Sequence, residues 1–387
     1  MTQPTLLVID YLRAGGTYES LLTEHGVRAK PHNGKISFIY DMLSSHDDDR
    51  LAQQCRGLIL REGSLDIIAY PFDRFFNHGQ GAAAQIDWAS ARFEEKLDGS
   101  LLITYWDDVD GHWRCGTRSM CEAHGQITGG QHTFATLADV AAAQHARGAL
   151  GSLNALMIVG RADIGTTYMI ELTGPHNRVV CEYPELGLTL IGARRLSDLR
   201  EVDPELEAER IGLPTPKSWR FSSIADLMEV MREWSPLQYE GVVVKDSAFN
   251  RVKVKSPQYL AAHHAIDSLG ASWRAVCEAI LTGHADDIEA AVPAFVRERI
   301  AELRIPIAQL VVQVERDYAE LRNIEDIKTF ALAAQQRFWS SPLFAMKRGK
   351  ATDVASFVGA ANPDTVLELC RKLGWRGDDL VALDETL

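Results

Sequence analysis

The sequence predicts an α+β protein in which a domain of antiparallel sheets with a few helices precedes an all-helical domain. Through about residue 255, short runs rich in β-branched and aromatic residues alternate with turn residues, which is typical of strands. Beyond Ser256 the chain is rich in Ala, Leu and Glu, with apolar residues at helical spacing. We therefore place the boundary near Ser256 and expect domains at residues 1–255 and 256–387.

Alternation of apolar and polar residues predicts the strands of the first domain. The predicted strands are Ile36–Tyr40, Gly57–Leu60, Phe93–Lys96, Leu101–Trp106, Tyr168–Leu172, Leu188–Ile191, Gly241–Lys245 and Val252–Lys255. Apolar residues at helical spacing predict one helix over Thr133–Ala146 and another over Ser223–Glu233, capped by Ser222 or Ser223.

The second domain is expected to contain helices only. The predicted helices are Tyr259–Leu269, Ser272–Leu281, Ala285–Ala301, Ile307–Leu321, Ile324–Phe338 and Thr365–Leu373. Proline is tolerated in a first helical turn and interrupts a helix interior, so Pro293 is expected in a first turn and Pro306 at a break.

Composition limits the class of protein. The net charge of −13 argues against a protein that coats nucleic acid non-specifically, although a local basic groove is compatible with it. The chain has no apolar run long enough to cross a bilayer, and MTQPTLLVID lacks the basic and apolar regions of a signal peptide. Its six cysteines form no CxxC motif and are expected to be reduced thiols. We expect a cytoplasmic protein, located in the host cytoplasm if the source is a virus.

The segment EEKLDGSLLITYW, residues 94–106, places Lys96 at the end of one predicted strand. An Asp98-Gly99 turn follows, and a second apolar strand begins at Leu101. Taken alone, Lys96 is equally well explained as a surface lysine beside a turn. An ammonium at the end of an apolar strand, next to a carboxylate, is the feature that indicates chemistry.

A second pair of strands, EGVVVKDSAFNRVKVKS, ends the first domain. Strand periodicity places Lys253 and Lys255 on one face, where two ammonium groups repel unless the face meets solvent or an anion. The alternative is an exposed edge strand with protective lysines. The preceding Glu240-Gly241 pair has an ordinary turn as its alternative reading.

Two further charged residues accompany predicted strands. Glu171 in TYMIELTG lies among apolar residues, where a carboxylate needs a charge partner, a metal or a ribose contact. Arg56 in CRGLIL precedes a strand and could present its guanidinium to phosphate, although a surface arginine fits as well.

The ordered set KLDGS, IELTG, EGVVVK and VKVKS resembles the signature of the covalent nucleotidyltransferases, which include RNA ligases, DNA ligases and capping enzymes. Within that superfamily the chain looks most like the phage-type ATP-dependent single-strand RNA ligases that repair nicked tRNA. This narrower resemblance also uses CRGLIL, RFFN and VKVKSPQYLAAHH. The motifs cover residues 55–264, and the remainder agrees only in being helical and of similar length.

The resemblance implies a three-step reaction that uses ATP and Mg²⁺, with Mn²⁺ as a substitute. Lys96 would attack the α-phosphate of ATP, the AMP would pass to an RNA 5′-phosphate, and a 3′-hydroxyl would displace it. The implied partner is RNA with such ends, including nicked tRNA. The implied ATP-binding residues are Arg56, Lys96, Asp98, Gly99, Arg118, Glu171, Glu240, Lys253 and Lys255, with Arg74 and Asn77 as further candidates.

The resemblance also implies individual roles. Asp98 would orient the nucleotide or the RNA end, and Gly99 would permit a close turn. Glu171 would contact ribose, and Glu240 together with Glu171 would hold the metal. Arg56 would act at the phosphate or the terminal nucleotide, and Lys253 and Lys255 would contact the α-phosphate. Arg118 stands where close relatives carry a lysine and would reach the β- and γ-phosphates, although the two side chains are not interchangeable.

The chemistry sets one further expectation. A lysine amine is nucleophilic only when neutral, and its reference pKa is about 10.4. We expect burial and the neighbouring charges of Lys253 and Lys255 to lower the pKa of Lys96.

One competing motif is metal binding by His112, Cys115, Cys121 and His124, which have suitable ligand types but an unusually short central loop. We prefer a strand pair with buried thiols.

The helical tail disfavours DNA ligases and capping enzymes, which usually continue into a β-barrel domain. We expect the helical tail to help hold RNA. RRLSDLR in the first domain and FAMKRGK in the tail are candidates for basic surface, although either run also fits a solvated face. The alternatives are a related enzyme that acts on nicked duplex DNA or RNA, and a non-catalytic RNA-binding relative.

Overall fold

A computed structural model describes residues 5–41, 44–127, 132–145, 151–177, 179–283, 294–351 and 353–377, with residues 285, 289 and 292 in isolation. Pro293 and Ala146 lie outside the described residues, as does most of the stretch between Ala285 and Pro293. The chain divides into two compact units, one running to Tyr259 and the other beginning at Leu260.

The first unit contains three antiparallel sheets among its described residues. An N-terminal sheet has the order β1-β2-β3-β4, a central sheet has the order β10-β9-β8-β6-β7, and a third sheet has the order β11-β5-β12-β13. The strands are β1 Val27–His32, β2 Lys35–Tyr40, β3 Arg56–Arg61, β4 Ile67–Ala69, β5 Arg92–Lys96, β6 Ser100–Asp107, β7 His112–Gly116, β8 Thr166–Thr173, β9 Gly187–Arg195, β10 Glu201–Val202, β11 Ser218–Trp219, β12 Gly241–Lys245 and β13 Arg251–Lys255.

Short helices cover these sheets. They are α1 Leu7–Arg13, α2 Tyr18–His25, α3 Arg50–Gln54, α4 Phe134–His145, α5 Leu153–Val159, α6 Pro204–Ile211 and α7 Ile224–Met231. Ser223 caps α7, since its side chain accepts a hydrogen bond from the Asp226 N–H. The α4 and α7 helices fall where the sequence predicts them, and each of the eight predicted strands lies within an observed strand.

Only helices occur among the described residues beyond Lys255. They are α8 Pro257–Ala271, α9 Trp273–Thr282, α10 Ala294–Leu321, α11 Ile327–Gln335, α12 Ser340–Lys347, α13 Val354–Gly359 and α14 Pro363–Lys372. The predicted α+β class, with an antiparallel first part and a helical second part, is confirmed. No helix in the described stretches is long and apolar enough to cross a membrane.

The predicted break at Pro306 is wrong. Pro306 lies inside the continuous helix α10 and is buried on the same face as Leu303 and Leu310. An interior proline removes one hydrogen bond and costs about 3 kcal/mol. Packing of this apolar face offsets that cost, which the local sequence does not reveal.

All six cysteines are buried and form no disulfide. They are distributed over separate parts of the chain, with Cys55 in the core of the N-terminal sheet and Cys115 in the core beneath the central sheet. The expectation of reduced thiols agrees with this arrangement.

Candidate active site

A cleft of about 800 Å³ opens between the facing sides of the central and third sheets. Strand alternation explains its lining, because alternate residues of a strand point to the same side. Seven of the residues predicted from the sequence line this cleft: Arg56, Lys96, Gly99, Arg118, Glu171, Lys253 and Lys255. The predicted residues Asp98, Glu240, Arg74 and Asn77 are not among its lining residues.

Lys96 is the last residue of β5 and pairs in register with Gly241, which pairs on its other side with Lys255. Gly241 has no side chain, so the two lysines flank an open position. Glu240 immediately precedes it, with only 3% of its side chain exposed. Its carboxylate lies 2.6 Å from the Lys96 ammonium and 3.0 Å from the Lys255 ammonium.

These contacts overturn the expected protonation of Lys96. Burial opposes a charge on the amine, but the charges of Glu240 and Glu171 outweigh it and raise the pKa of Lys96 above its usual value. The pKa of Lys96 is raised rather than lowered because the carboxylates of Glu240 and Glu171 lie close to the amine, and the sequence prediction did not include this proximity. Without nucleotide, Lys96 is a protonated, ion-paired lysine.

Lys253 has the environment that was predicted for Lys96. Burial, together with the charges of Arg56, Lys96 and Lys255, lowers the pKa of Lys253 to about 7. Its ammonium lies 4.7 Å from the centre of the Phe75 ring, and no carboxylate lies within ion-pair distance among the described residues. An anion entering the cleft would therefore stabilise the charged form of Lys253.

Glu171 lies on β8 and accepts a hydrogen bond of 3.2 Å from the Gly99 N–H. Burial raises the pKa of Glu171 to about 7; Lys96 opposes the shift and Glu240 reinforces it. Gly99 is required by close packing, because a Cβ at this position would lie 2.2 Å from the Leu172 carbonyl oxygen. This contact explains why the predicted close turn requires glycine at position 99.

Glu171 and Glu240 were predicted to hold a metal. The described residues contain no group of three or more His, Cys, Asp or Glu side chains that could enclose an ion. Two carboxylates nevertheless suit Mg²⁺, which is usually held by one or two carboxylates together with substrate phosphates and water. Burial and the charge of Glu240 raise the pKa of Glu171, and a bound cation would favour the charged form of this carboxyl, so the donor set fits such an ion.

The carboxylate of Asp98 is engaged in hydrogen bonds within the protein, and its role in orienting the nucleotide or the RNA end stays a prediction. Its carboxylate accepts hydrogen bonds of 2.8 Å from the N–H groups of Val180 and Cys181 and from the Tyr259 hydroxyl. Asp98 is 3% exposed, and its own N–H donates to the Tyr183 hydroxyl at 3.0 Å. Asp98 therefore anchors the turn after Lys96 rather than presenting its carboxylate to the cleft.

Arg56 and Arg118 lie close together at the cleft. Burial and the charge of Arg118 lower the pKa of Arg56 to about 10. Among the residues that the structure describes, the buried Nη1 of Arg56 has no hydrogen-bond partner. Gly57, which has φ of +88°, allows this approach, since a Cβ would lie 3.1 Å from the Arg118 Cα and 2.4 Å from Ile103. Two adjacent guanidinium groups with an unpartnered N–H favour a polyanion.

Arg74 and Asn77 lie beside the cleft. The Arg74 guanidinium donates to Asp47 at 2.6 Å and packs over the rings of Tyr40 and Phe76. Asn77 forms an isolated bridge with Lys253. Both residues support neighbouring segments.

The possible zinc ligands separate in the structure. Cys115 belongs to the core beneath the central sheet, whereas Cys121 packs with Ile103 and Tyr105 in another cluster. His112 and His124 are exposed, and His124 lies 3.1 Å from Glu122.

Three charged residues that line the cleft, Glu94, Lys245 and Arg251, were not predicted from the sequence. Lys245 lies 2.6 Å from Glu94, and Arg251 donates to both carboxylate oxygens of Glu201. Strand alternation places Lys245 and Arg251 on the face that carries Lys253 and Lys255, so the signal was present. Tyr259 and Tyr183 had no comparable signal, because their partner is distant in sequence.

An antiparallel α+β fold, with a lysine among acidic and basic side chains in a cleft between sheets, is the arrangement expected of a covalent nucleotidyltransferase. A family model described as RNA ligase matches residues 54–259, more than half of the chain. The chain therefore belongs to the RNA ligase family, and the resemblance recognised in the sequence is confirmed.

The chain is also similar to several individual proteins. An RNA ligase of Rhodothermus phage RM378 is 26% identical over 298 residues, covering 62% of this chain and 67% of the phage protein. A protein of Autographa californica nuclear polyhedrosis virus, whose name ascribes to it polynucleotide kinase and RNA ligase functions, is 27% identical over 304 residues. That match covers 74% of this chain but only 42% of the viral protein. Among solved structures, an archaeal ATP-dependent RNA ligase is 15% identical with a TM-score of 0.45, covering 97% of this chain and 84% of that chain.

Proposed function

We propose that this protein is an ATP-dependent RNA ligase that joins a 5′-phosphate to a 3′-hydroxyl through a covalent lysyl-AMP intermediate. The observation that carries the proposal is the position of Lys96 in the cleft, held by Glu240 beside Lys255. A lysine with only a structural role has no need of a second lysine on the same carboxylate. Membership of the RNA ligase family supports the same conclusion.

In the first step the Lys96 amine forms a bond to the α-phosphorus of ATP, and the bond to the β-phosphate breaks to release pyrophosphate. The ammonium must lose a proton first, because only the neutral amine is nucleophilic. Lys253 and Lys255 lie on the same strand face and would stabilise the charge on the α-phosphate. Arg56 and Arg118 would hold the β- and γ-phosphates.

Glu171 and Glu240 would hold Mg²⁺, or Mn²⁺ in its place. When bound with ATP, the ion would neutralise phosphate charge and compete with Lys96 for the Glu240 carboxylate. Glu171, which accepts a hydrogen bond from the Gly99 N–H, would also contact ribose, as the family resemblance implies.

In the second step an oxygen of the RNA 5′-phosphate attacks the α-phosphorus, and the bond between phosphorus and the lysine nitrogen breaks. In the third step the 3′-hydroxyl attacks the RNA 5′-phosphorus, a phosphodiester forms and AMP leaves. The cationic lining of the cleft suits each of these phosphate-centred steps.

Labelling with radioactive ATP tests the first step. Incubation with [α-³²P]ATP and Mg²⁺ should label the protein through a phosphoramidate that survives alkali and is lost in acid. Lys96→Ala should abolish labelling, whereas replacement of the exposed Lys328 by alanine should not change it. Labelling of the Lys96→Ala protein at the wild-type level would refute the mechanism.

Comparison of substrates tests the choice of RNA. We expect sealing of single-stranded RNA with 5′-phosphate and 3′-hydroxyl ends, and of tRNA nicked in a loop, to exceed sealing of nicked duplex DNA. Preferential sealing of the DNA nick would support the related nucleotidyltransferase instead. Absence of both labelling and sealing, with RNA binding retained, would support a non-catalytic relative.

We further propose that the helical region, residues 256–387, helps to hold the RNA substrate. Within FAMKRGK, the Lys347 ammonium is engaged by the carbonyls of Arg322 and Ile324, whereas Arg348 and Lys350 are exposed. Replacing Arg348 and Lys350 by glutamate should weaken RNA binding and leave labelling by ATP unchanged. Unchanged RNA affinity at low salt would contradict this assignment.

A further inference from the structure

A buried ion cluster lies next to the segment that carries Arg118. Lys35 on β2 is 3% exposed, and its ammonium lies 2.5 Å from Asp107 at the end of β6 and 3.0 Å from Glu122 after β7. Burial opposes the charge, but hydrogen bonds to both carboxylates raise the pKa of Lys35. The cluster therefore joins the N-terminal sheet to the central sheet through charged groups.

The cluster fixes one end of the segment between Thr117 and Glu122, which we call the Arg118 loop. Tyr105 on β6 holds the same loop, since its buried hydroxyl donates to the Cys121 carbonyl at 2.8 Å. Within the loop the Thr117 N–H donates to the Met120 carbonyl at 3.0 Å. Both attachments leave the side chain of Arg118 in the lining of the cleft.

Arg118 lies next to the segment that carries Arg56, since a Cβ on Gly57, which has φ of +88°, would make a tight contact of 3.1 Å with the Arg118 Cα. The charge of Arg118 lowers the pKa of Arg56, whose buried Nη1 has no hydrogen-bond partner among the described residues. Like charges repel, so the backbone of the loop must be held from another direction to keep Arg118 beside Arg56. Lys35 and Tyr105 supply that restraint on the side away from the cleft.

We propose that Lys35 is a positioning residue which, with Tyr105, holds the Arg118 loop so that Arg118 and Arg56 form a ready-made seat for the β- and γ-phosphates of ATP. This inference rests on the proposed function, because it concerns the nucleotide of that reaction. It predicts different effects on two parts of the nucleotide. Loosening the loop should weaken recognition of the two outer phosphates and should not affect the AMP part of the nucleotide.

The experiment compares two ligands by calorimetry: the non-hydrolysable α,β-methylene-ATP and AMP, each with Mg²⁺. The variants are Lys35→Met, Tyr105→Phe, Arg118→Ala and the double variant Lys35→Met/Arg118→Ala. Tyr168→Phe is the matched control, because Tyr168 is also a fully buried tyrosine of the central sheet whose hydroxyl bonds elsewhere, to Glu207. Circular dichroism confirms that each variant is folded.

Lys35→Met and Tyr105→Phe should weaken binding of the ATP analogue by about tenfold, the value of one charge-assisted contact, with AMP affinity changed less than about twofold. Lys35→Met should have no further effect once Arg118 is alanine. Equal losses for both ligands, the same loss in the Arg118→Ala background, or the same loss in Tyr168→Phe would overturn the inference. If Lys35→Met does not fold, the comparison of Tyr105→Phe with Tyr168→Phe decides it.

Failure of the wild-type protein to bind either nucleotide would refute the proposed function instead. Failure of the positioning inference and failure of the proposed function are therefore distinguishable. The positioning role is tested by the ratio of the affinities for the ATP analogue and for AMP, which has a meaning only if the wild-type protein binds both.

Discussion

Glu240 joins two lysines from the strands on either side of β12: one carboxylate oxygen lies 2.6 Å from Lys96 and the other 3.0 Å from Lys255. Replacing Glu240 by glutamine would leave two ammonium groups facing a neutral amide. We expect the free energy of unfolding at pH 7 to fall by about 1–3 kcal/mol, because the two lysine ammonium groups lose the carboxylate that neutralises them. Denaturant unfolding measures this change.

A double variant separates this pairing from other effects of the substitution. Lys96→Met removes one of the facing charges, so Glu240→Gln should be less destabilising in the Lys96→Met background. Identical losses in both backgrounds would mean that the ion pair contributes nothing to stability. Labelling by ATP should fall by about a hundredfold or more in Glu240→Gln, because the variant lacks a carboxylate at the centre of the site.

Lys253 gives the protein a pH-dependent weakness. Its pKa is about 7 in the folded chain and about 10.4 in an unfolded chain. Below pH 7 Lys253 is charged in both states, so the folded state is destabilised by the full cost of burying that charge. This destabilisation decreases as the pH rises from 7 towards 10. Lys253→Met should therefore raise the free energy of unfolding by about 1–2 kcal/mol at pH 6 and by less at pH 9.5.

The control for this titration is Lys328→Met, at an exposed lysine of α11. It should change stability equally at both values of pH. A gain from Lys253→Met that does not shrink with rising pH would indicate improved packing rather than removal of a charge.

Replacing Arg56 should make the protein more stable and weaken its binding of ATP. Its Nη1 is buried without a partner, so Arg56→Met should raise the free energy of unfolding by about 1 kcal/mol. The same variant should lose most of the increase in Tm that ATP gives the wild type, since ligand binding stabilises only a folded site. Thermal unfolding with and without ATP measures both effects.

Arg92→Met serves as the reference for Arg56→Met, because its guanidinium is half exposed and pairs with Glu205 at 2.8 Å. This variant should keep the ATP-dependent increase in Tm. If Arg56→Met retained the full increase as well, Arg56 would have no part in nucleotide binding.

Gly99→Ala should disrupt the turn after the nucleophile. The added Cβ would lie 2.2 Å from the Leu172 carbonyl oxygen and 3.0 Å from the Thr173 side chain. Backbone cannot move away cheaply, so we expect a loss of about 2–4 kcal/mol in unfolding free energy and at least tenfold slower labelling by ATP. Gly81→Ala adds the same methyl group where no atom lies within 4 Å and should have neither effect.

Periodicity within single strands was sufficient to predict much of the site. The alternation of VKVKS correctly placed Lys253 and Lys255 on one face, and KLDGS correctly placed Lys96 at a strand end. These features depend on neighbours in sequence. The motif resemblance then joined segments that no local pattern connects.

Contacts between distant segments explain what could not be predicted. The protonation of Lys96 depends on Glu240, which lies 144 residues further along the chain, and Lys35 meets Asp107 across 72 residues. Asp98 was placed in the correct turn, but its three hydrogen bonds come from segments whose approach only the folded chain reveals. The helix break at Pro306 was predicted from the backbone chemistry of proline alone. In the structure Pro306 is buried inside a continuous helix, where packing offsets the lost hydrogen bond.

The burial of all six cysteines has a practical consequence for studying this protein. Burial raises the pKa of thiols such as Cys115 and Cys370, and only a thiolate reacts readily with alkylating reagents. Uptake of iodoacetamide by the wild-type chain would therefore report transient opening of its core, while a single cysteine introduced on the surface would accept a fluorophore selectively.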